Sequence, residues 1–147
     1  MHVRRATTDD ALDILAWRND PETIAMSKTV GPIDAASHQV WFDRSLANPD
    51  RLIFVAVDGD QKIGMVRFDR AGDDWAVSIN VSPKVRNRGY GRAMLTEALA
   101  AVRPSIGQSR IVAEVREDNV ASLRLFDRCG FAQAERKDGF IQVSLAK

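Results

Sequence analysis

Residues 75–102 read Trp-Ala-Val-Ser-Ile-Asn-Val-Ser-Pro-Lys-Val-Arg-Asn-Arg-Gly-Tyr-Gly-Arg-Ala-Met-Leu-Thr-Glu-Ala-Leu-Ala-Ala-Val, and this stretch decides the fold. Its first third alternates between two faces, one carrying Trp75, Val77, Ile79 and Val81 and the other Ala76, Ser78 and Asn80. That two-residue period predicts a strand. Pro83 ends the strand because proline has no N–H to donate to a ladder. From Gly91 onward the period becomes that of an amphipathic helix, with a stripe of Met94, Leu95, Ala98, Leu99 and Val102.

The segment between this strand and this helix is basic and rich in glycine, and it reads Arg86-Asn87-Arg88-Gly89-Tyr90-Gly91-Arg92. The first N–H groups of a helix have no partner inside the helix and carry the positive end of its dipole. Glycines allow positive φ and close approach of the backbone to a phosphate. The segment therefore predicts an anion site that is neither a P-loop nor a dinucleotide fingerprint. The alternative is an ordinary glycine turn before a surface helix.

Two motifs carry a resemblance to a known family. The pattern Arg86-x-x-Gly89-x-Gly91, after a strand that ends in Asn80-Val81-x-Pro83, resembles the acyl-CoA pyrophosphate loop of the GNAT family of N-acetyltransferases. Downstream, residues 119–131 read Asn-Val-Ala-Ser-Leu-Arg-Leu-Phe-Asp-Arg-Cys-Gly-Phe, similar to that family's Asn-x-x-Ser/Ala-x-x-x-Tyr-x-x-x-Gly-Phe motif. Since both motifs occur in order, the chain is identified as a member, and the resemblance covers nearly its whole length.

Length and composition favour one ordinary globular domain over residues 1–147. The net charge of +1 gives no reason to expect a nucleic-acid partner. No apolar run reaches the ~18 residues that would span a membrane, and no apolar segment after Met1 suggests a signal peptide. Cys129 is the single cysteine, so no internal disulfide or cysteine-rich metal site is expected. Together these features predict a cytoplasmic protein without a metal.

The remaining elements follow from periodicity and from turn signals. Strands are predicted at 3–6, 52–57, 62–68, 110–115, 131–135 and 140–145. Helices are predicted from Ala11 to the Trp17–Pro21 stop, from Asp34 to about Leu46, and from an Asn119 cap to Gly130. Residues 22–33 are predicted to be irregular, and Pro104 and Gly107 to mark a loop. The order β-α-α-β-β-β-α-β-α-β-β gives a mixed α/β domain. The resemblance implies a twisted sheet of six to seven strands, splayed at an acetyl-CoA cleft after the strand that ends at Val81, with about four helices.

The reaction implied by the resemblance is acetyl transfer from acetyl-CoA to a primary amine, by direct attack in a ternary complex. Backbone N–H groups of residues 87–92 would hold the pyrophosphate, and the main chain of Val81 would run along the pantetheine. Asn119 would hold the pantetheine or a water from the other side, although it is equally suited to be a plain N-cap. The implied cofactor-binding set is Val81, Arg86, Asn87, Arg88, Gly89, Tyr90, Gly91, Arg92, Asn119 and Phe126.

One departure from the family pattern concerns the proton donor. Phe126 stands where the family usually has a tyrosine that protonates the leaving thiolate. The acid is then a water, another residue such as Ser122, or unnecessary. The strand that ends at Val81 offers Ser78 and Asn80 on one face and no glutamate that could act as the base, although Asp69, Asp73 and Asp74 could reach the site. Asn80 and Ser122 are the catalytic candidates. A site without an obvious carboxylate base suits an amine of low pKa.

Acceptor recognition is expected from the first two helices and the neighbouring strand. The candidate residues are Trp17, Arg18, Asn19, His38, Trp41 and Arg67, in segments that resemble a subgroup acting on nucleotide-linked amino sugars of the pseudaminic-acid type. Arg18 or Arg67 would pair with a diphosphate, and Trp41 would stack on a base or sugar. Each of these residues has an alternative role, as core for the tryptophans, as solvated charge for the arginines, and as a packed helix histidine for His38.

Two other functions compete with this hypothesis. A segment His38-x-x-Trp41-Phe42 also occurs in relatives of ribosomal-protein acetyltransferases, which acetylate protein N-termini. Loss of the tyrosine at Phe126 also leaves open a non-catalytic acyl-CoA-binding module. A protein acceptor would favour an open acidic groove, whereas a sugar nucleotide needs a closed basic pocket. The resemblance is compatible with a homodimer.

Overall fold

A computed structural model describes residues 1–26 and 31–146. Seven strands and five α-helices form in the described part of the chain. In chain order they are β1 His2–Arg5, α1 Ala11–Arg18, α2 Pro21–Met26, α3 Ala35–Ala47, β2 Arg51–Asp58, β3 Gln61–Ala71, β4 Asp74–Val81, α4 Tyr90–Ile106, β5 Ile111–Arg116, α5 Val120–Arg128, β6 Ala132–Lys137 and β7 Phe140–Leu145. Short 3-10 turns precede α1 and follow β4. The predicted mixed α/β architecture is confirmed.

All seven strands lie in one sheet, in the order β1-β2-β3-β4-β5-β7-β6. Every neighbouring pair is antiparallel except β4 and β5, which run parallel. These two strands pair only at Trp75–Ile111 and Ala76–Val112. Beyond Ala76 they diverge, and the sheet opens into a V between the ends of β4 and β5. This is the splayed sheet that the sequence resemblance implies.

The sheet has a helical layer on each face. The larger core packs β2–β5 and β7 against α4, whose predicted stripe is buried at Met94, Leu95, Ala98 and Val102 and half-buried at Leu99. The second core holds α1 and α3 on the opposite face, through Ala11, Ile14, Trp17, Phe42, Ile53, Val55 and Met65. The alternation of β2 and β3 supplies both cores, since successive side chains of a strand point to opposite faces.

Two local predictions were wrong. Residues 21–26 form α2 instead of irregular chain, because Asp20 accepts the Thr23 N–H at 3.1 Å as a cap and Pro21 suits the first turn. Residues 27–30 of the segment predicted to be irregular lie outside the described residues. Helix α4 also continues through Pro104 to Ile106 instead of ending before a loop. Proline removes one hydrogen bond there, but Ile106 is buried and holds the last turn, and Gly107 with φ of 64° then ends the helix.

A buried charge anchors α1 to the sheet. The fully buried carboxylate of Asp10 accepts two hydrogen bonds from the Arg4 guanidinium at 2.8 and 2.9 Å, and the Lys62 ammonium lies 2.8 Å away. Burial by itself would raise the pKa of the Asp10 carboxyl, but the hydrogen bonds from Arg4, Lys62 and the Thr7 N–H outweigh it and hold that pKa well below its usual range. The helix that carries Arg18 is thereby fixed by residues distant in sequence.

Candidate active site

The two sequence motifs meet at the mouth of the V. A Cβ atom placed on Gly91 would lie 3.8 Å from Val81 Cγ2 and 3.5 Å from Leu125 Cδ2. The end of β4, the first turn of α4 and the middle of α5 are therefore neighbours. The structure brings together the glycine-rich segment and the Asn119 motif, as expected for two parts of one site.

The glycine-rich segment has the backbone of an anion-binding loop. Asn87 has φ of 63° and Gly89 has φ of 79°, and Gly89 is the N-cap of α4. A Cβ on Gly89 would meet no atom within 4 Å, so the requirement for glycine there is the positive φ and not space. The first amides of α4 have no partner inside the helix and carry its positive dipole end. Arg88 and Arg92 are exposed and add positive charge beside these amides.

The end of β4 is closely packed against β3. A Cβ on Gly64 would clash with the backbone oxygen of Asn80 and lie 2.6 Å from Met94 Cε, so only glycine fits at that position. Just beyond the end of β4, the Ser82 N–H bonds Ile63 O at 2.8 Å. The side-chain Oδ1 of Asn80 lies 3.3 Å from the Thr23 hydroxyl, which can donate to it.

On the other side of the V, Asn119 is the N-cap of α5, and its Oδ1 accepts the Ser122 N–H at 3.2 Å. The Ser122 side chain is half-buried, and its hydroxyl makes no hydrogen bond to any residue that the structure describes. Phe126 is 3% exposed and packs edge-on against Phe131, with ring centroids 5.0 Å apart. The position of the missing tyrosine is therefore part of the core.

The C-terminal cap of α5 forms as predicted. Gly130 has φ of 93°, and its N–H bonds Asp127 O while the Phe131 N–H bonds Phe126 O, both at 3.0 Å. This pair of hydrogen bonds is a Schellman motif.

Tyr90 has a separate role, because its hydroxyl donates to the Asp58 carboxylate at 2.5 Å and ties the start of α4 to the end of β2. That hydrogen bond raises the pKa of the Tyr90 phenol.

Trp41 lies at the centre of a cationic cluster on the face of the sheet that carries α1 and α3. The Arg18 guanidinium lies 4.0 Å from the centroid of the Trp41 ring, and those of Arg51 and Arg67 lie at 5.4 and 5.5 Å. We call Arg18, Trp41, Arg51, Arg67 and Asp69 the arginine cluster. Asp69 is its one carboxylate and accepts from both Arg51 Nε and Arg67 Nε.

The charges in this cluster do not cancel. Asp69 bonds to Arg51 and Arg67, while no carboxylate pairs with Arg18 among residues 1–26 and 31–146. Burial, followed by the charges of Arg67 and Arg51, lowers the pKa of the Arg18 guanidinium to about 10. Burial likewise lowers the pKa of Arg67, against the opposing effect of Asp69. The cluster therefore stays positive at neutral pH and attracts anions.

His38 holds Arg18 in place. Its ring is 1% exposed, and Nε2 lies 2.7 Å from the Ala11 carbonyl, which can only accept. Nε2 therefore carries the proton, and Nδ1 accepts from Arg18 Nη1 at 3.1 Å. Burial lowers the pKa of the His38 imidazole, the bond to Ala11 opposes this shift, and the Arg18 charge adds to it.

Two other residues of the predicted acceptor set have structural contacts. Trp17 is buried in the second core. Asn19 donates to the Ile33 carbonyl at 2.8 Å and accepts the Ile33 N–H at 2.7 Å, so both ends of its amide bond to the backbone of Ile33. Sequence reasoning missed Arg51, because the β2–β3 register of the folded chain is what places it opposite Asp69.

The surface beside the cluster is an open groove of about 600 Å³ along α3. Trp41, Arg44 and Arg51 line it, together with Ser37, Ser45 and Asn48. Among the described residues that line this groove, none carries a carboxylate. It combines the openness expected for a protein acceptor with the basic character expected for a sugar nucleotide.

Arg86 points away from the glycine-rich segment that it begins. Its guanidinium lies 2.8 Å from carboxylate oxygens of both Asp20 and Glu22, and it donates to the Thr23 hydroxyl at 2.9 Å. Burial alone would raise the pKa of Asp20, but the hydrogen bond from Arg86 lowers it below the usual value.

Residues 1–26 and 31–146 contain no group of three or more His, Cys, Asp or Glu side chains placed to hold a metal ion. None of their helices is both long enough and apolar enough to cross a lipid bilayer.

Comparison with known proteins gives a consistent family assignment. A family model described as an acetyltransferase (GNAT) domain matches residues 1–132. The chain is 32% identical to the N-alpha-acetyltransferase RimI of Mycobacterium tuberculosis over 108 residues, which cover 70% of this chain and 66% of that protein.

Two solved structures share the fold. A spermidine N-acetyltransferase of Vibrio cholerae in complex with CoA and spermine superposes with a TM-score of 0.88 at 15% identity, covering 98% of this chain and 94% of that chain. A ribosomal-protein-alanine N-acetyltransferase of Brucella melitensis gives a TM-score of 0.82 at 19% identity, with both chains fully covered at 100%.

Proposed function

Because the chain belongs to the GNAT family and is an N-acetyltransferase that uses acetyl-CoA, we propose that its acceptor is a primary amine that also carries an anionic group. The first candidate is a nucleotide-linked amino sugar. The observation that carries this proposal is the unneutralised arginine cluster on the acceptor side, in which Arg18 has no carboxylate partner among the described residues.

Cofactor binding would use mostly backbone. The amides of residues 87–92 would hold the pyrophosphate of acetyl-CoA, supported by the left-handed backbone at Asn87 and Gly89 and the free end of α4. The V between β4 and β5 would take the pantetheine, with Val81 on one wall. Asn119 already caps α5 through Oδ1, so only its NH₂ group would remain for the cofactor.

The reaction balances without a metal or a covalent enzyme intermediate. The amine nitrogen attacks the thioester carbonyl carbon, the new C–N bond forms, the C–S bond breaks, and CoA leaves as a thiolate. The amine loses one proton to water, and the thiolate can leave unprotonated because thiols have a pKa near 8.5. Phe126 cannot supply a proton. The proposed mechanism is compatible with this, because the thiolate leaves without being protonated.

The acceptor must be deprotonated before it attacks. A lysine-like amine of pKa ~10.4 costs about 4.6 kcal/mol to deprotonate at pH 7, whereas an amine of pKa near 8 costs about 1.4 kcal/mol. Cationic groups near an amine disfavour its ammonium form and lower its pKa. The arginine cluster would therefore help a weakly basic amine and would repel a polyamine with several positive charges.

The acceptor side offers specific contacts for an anion. The remaining N–H groups of Arg18 would bind a phosphate or carboxylate, with Arg67 beside it, and the free area of Trp41 would stack on a base or sugar. The groove along α3 would hold the more distant part of the acceptor through Arg44 and Arg51.

A protein N-terminus is the second candidate. It is favoured by the 32% identity to the N-alpha-acetyltransferase of M. tuberculosis and by the openness of the groove along α3. An α-amino group has a pKa near 8, so it also meets the low-pKa requirement. Absence of acidic residues from the groove is the feature that places this candidate second.

A thiol-release assay with acetyl-CoA tests the proposal. The acceptor panel consists of UDP-linked 4-amino sugars, alanine-terminated peptides and spermidine, with the acetylated product identified by mass spectrometry. Turnover of the sugar nucleotides above the others is expected. Preference for the peptides would establish the second candidate, and acetyl-CoA binding without turnover on any amine would indicate a non-catalytic acyl-CoA-binding module.

A further inference from the structure

Arg86 belongs by sequence to the predicted cofactor loop but by contact to the acceptor side. Its side chain is 24% exposed and meets Asp20, which is 14% exposed, and Glu22, which is 69% exposed. One positive charge thus faces two negative charges. The guanidinium also donates to the Thr23 hydroxyl at 2.9 Å, so it bonds to three side chains that begin or precede α2.

The Thr23 hydroxyl continues this contact to the end of β4. It lies 3.3 Å from Asn80 Oδ1 and 3.3 Å from Asp20 Oδ2. Because Arg86 donates to the hydroxyl oxygen, the single hydroxyl hydrogen is left to donate to Asn80 or to Asp20. A chain of polar contacts therefore runs from Arg86 through Thr23 to the side chain of Asn80.

Helix α2 lies at the surface of the fold. None of its residues is buried, and it is only six residues long. Isolated helices of this length are not stable in water, so α2 depends on its cap and on tertiary contacts. The Asp20 cap and the Arg86 contacts supply these.

We infer that Arg86 is a positioning residue for the acceptor side of the site, holding α2 and the Asn80 side chain in place, and that it does not bind the cofactor pyrophosphate. Its charge is already opposed by Asp20 and Glu22. Arg88 and Arg92 of the same segment are exposed and form no ion pair within the described residues, so their charges remain available to phosphate.

The first test needs no acceptor and uses Arg86→Gln, with Arg88→Gln as the matched loss of charge in the same segment. By calorimetry, Arg86→Gln should change the dissociation constant of acetyl-CoA by less than about threefold. In hydrogen-exchange measurements, Arg86→Gln should raise the exchange rates of the α2 amides about tenfold, whereas Arg88→Gln should leave those rates unchanged. A tenfold loss of acetyl-CoA affinity in Arg86→Gln, or unchanged exchange in α2, would overturn the inference.

The second test separates positioning from a general structural effect, and it alone rests on the proposed acceptor. With a UDP-linked 4-amino sugar, Arg86→Gln should raise the acceptor KM about tenfold and leave the KM for acetyl-CoA unchanged. Thr23→Val should act in the same direction, and the double variant should be no worse than Arg86→Gln, because both remove one chain of contacts. Additive effects in the double variant would contradict it.

Arg86→Lys is the conservative rescue. An ammonium can pair with Asp20 and Glu22 but lacks the planar fork that also reaches Thr23. Partial recovery of the acceptor KM, with full recovery of slow exchange in α2, is expected. Failure of every amine in the panel would refute the proposed acceptor and leave the calorimetric and exchange results valid as a test of Arg86.

Discussion

The cofactor side and the acceptor side of this molecule are built in different ways. The proposed anion-binding loop comes from one contiguous segment, residues 87–92, and would rely on backbone conformation at Asn87 and Gly89. The arginine cluster is assembled from side chains of α1, α3, β2 and β3, which meet only in the folded chain. A loop that binds through its backbone should tolerate changes of side chain except where φ must be positive, as at Gly89. A cluster of side chains is lost when any one of the elements that carry them is displaced.

The sharpest difference should appear in stability, because the acceptor side depends on distant anchors. Replacement of Asp10 by Asn removes the buried carboxylate that joins Arg4 and Lys62 to the start of α1. Loss of one partner of a buried ion pair should lower the free energy of unfolding by about 3 kcal/mol. Chemical denaturation measures this, with the exposed neighbour change Asp9→Asn as the control. Equal stability of the two variants would refute the role of Asp10 as an anchor.

On the cofactor side, a change of backbone conformation at position 89 should weaken the binding of acetyl-CoA. Valine at position 89 cannot readily adopt the φ of 79° that the N-cap of α4 requires, and such strain costs about 1–3 kcal/mol. The loop should relax to another conformation, and acetyl-CoA should bind about thirtyfold more weakly by calorimetry. Gly72→Val is the matched control, since Gly72 has φ of 64° in the β3–β4 turn, at the opposite end of β4 from Val81. Wild-type affinity in Gly89→Val would remove the phosphate-loop interpretation.

On the acceptor side, removal of a single charge should lower the catalytic efficiency with an anionic acceptor. Replacement of Arg18 by Gln should lower kcat/KM for a phosphate-bearing amine about tenfold, the low end of the effect of losing a charge-assisted hydrogen bond. The affinity for acetyl-CoA should not change, because the contacts of Arg18 are with His38 and Trp41 and not with residues 87–92. Arg128→Gln, which removes an exposed charge on α5 outside the groove, is the control for net charge. Equal losses in both variants would mean that only overall charge matters.

The smallest predicted effect is the pH dependence that His38 contributes. Its pKa is lower in the folded chain than the usual value near 6.5, so the unfolded state binds a proton more readily. The contribution of His38 to stability is therefore complete above pH ~6.5 and is lost as the pH falls below that value. It changes by at most about 1.4 kcal/mol per pH unit, because one proton is involved.

His38→Gln tests this contribution, because a glutamine amide can still donate to the Ala11 carbonyl but does not titrate. Its stability should vary less between pH 6.5 and 5 than that of the wild type. Identical slopes of unfolding free energy against pH would show that another group is responsible.

This contrast also explains what the sequence could predict. The seven strands, the four longer helices, the Gly130 cap and the splayed sheet follow from periodicity, capping signals and a motif, all of which are local in sequence. Helix α2 was missed because it buries no residue and so leaves no apolar period to detect. The extension of α4 past Pro104 was missed because burial of Ile106 overrides a local breaker signal.

Side-chain partners were the least predictable feature. Arg51 joins the cluster because the β2–β3 register places it opposite Asp69, and a register is not encoded in either strand alone. Arg86 bonds to Glu22, which lies 64 residues earlier in the chain. The motif placed Arg86 on the cofactor side, but only the tertiary structure reveals its contacts with α2. Trp17, Asn19 and His38 were predicted to bind the acceptor, and the contacts that the structure shows for them are structural.

The most direct test of the central claim compares an acceptor that carries the anionic nucleotide with the same acceptor without it. A UDP-linked 4-amino sugar and the same amino sugar without the nucleotide would be acetylated by the wild-type protein at saturating acetyl-CoA, and kcat/KM measured for each. The arginine cluster predicts that the nucleotide-linked sugar is preferred by about tenfold or more. Equal values, or a preference for the free amino sugar, would contradict recognition of an anionic acceptor by this cluster.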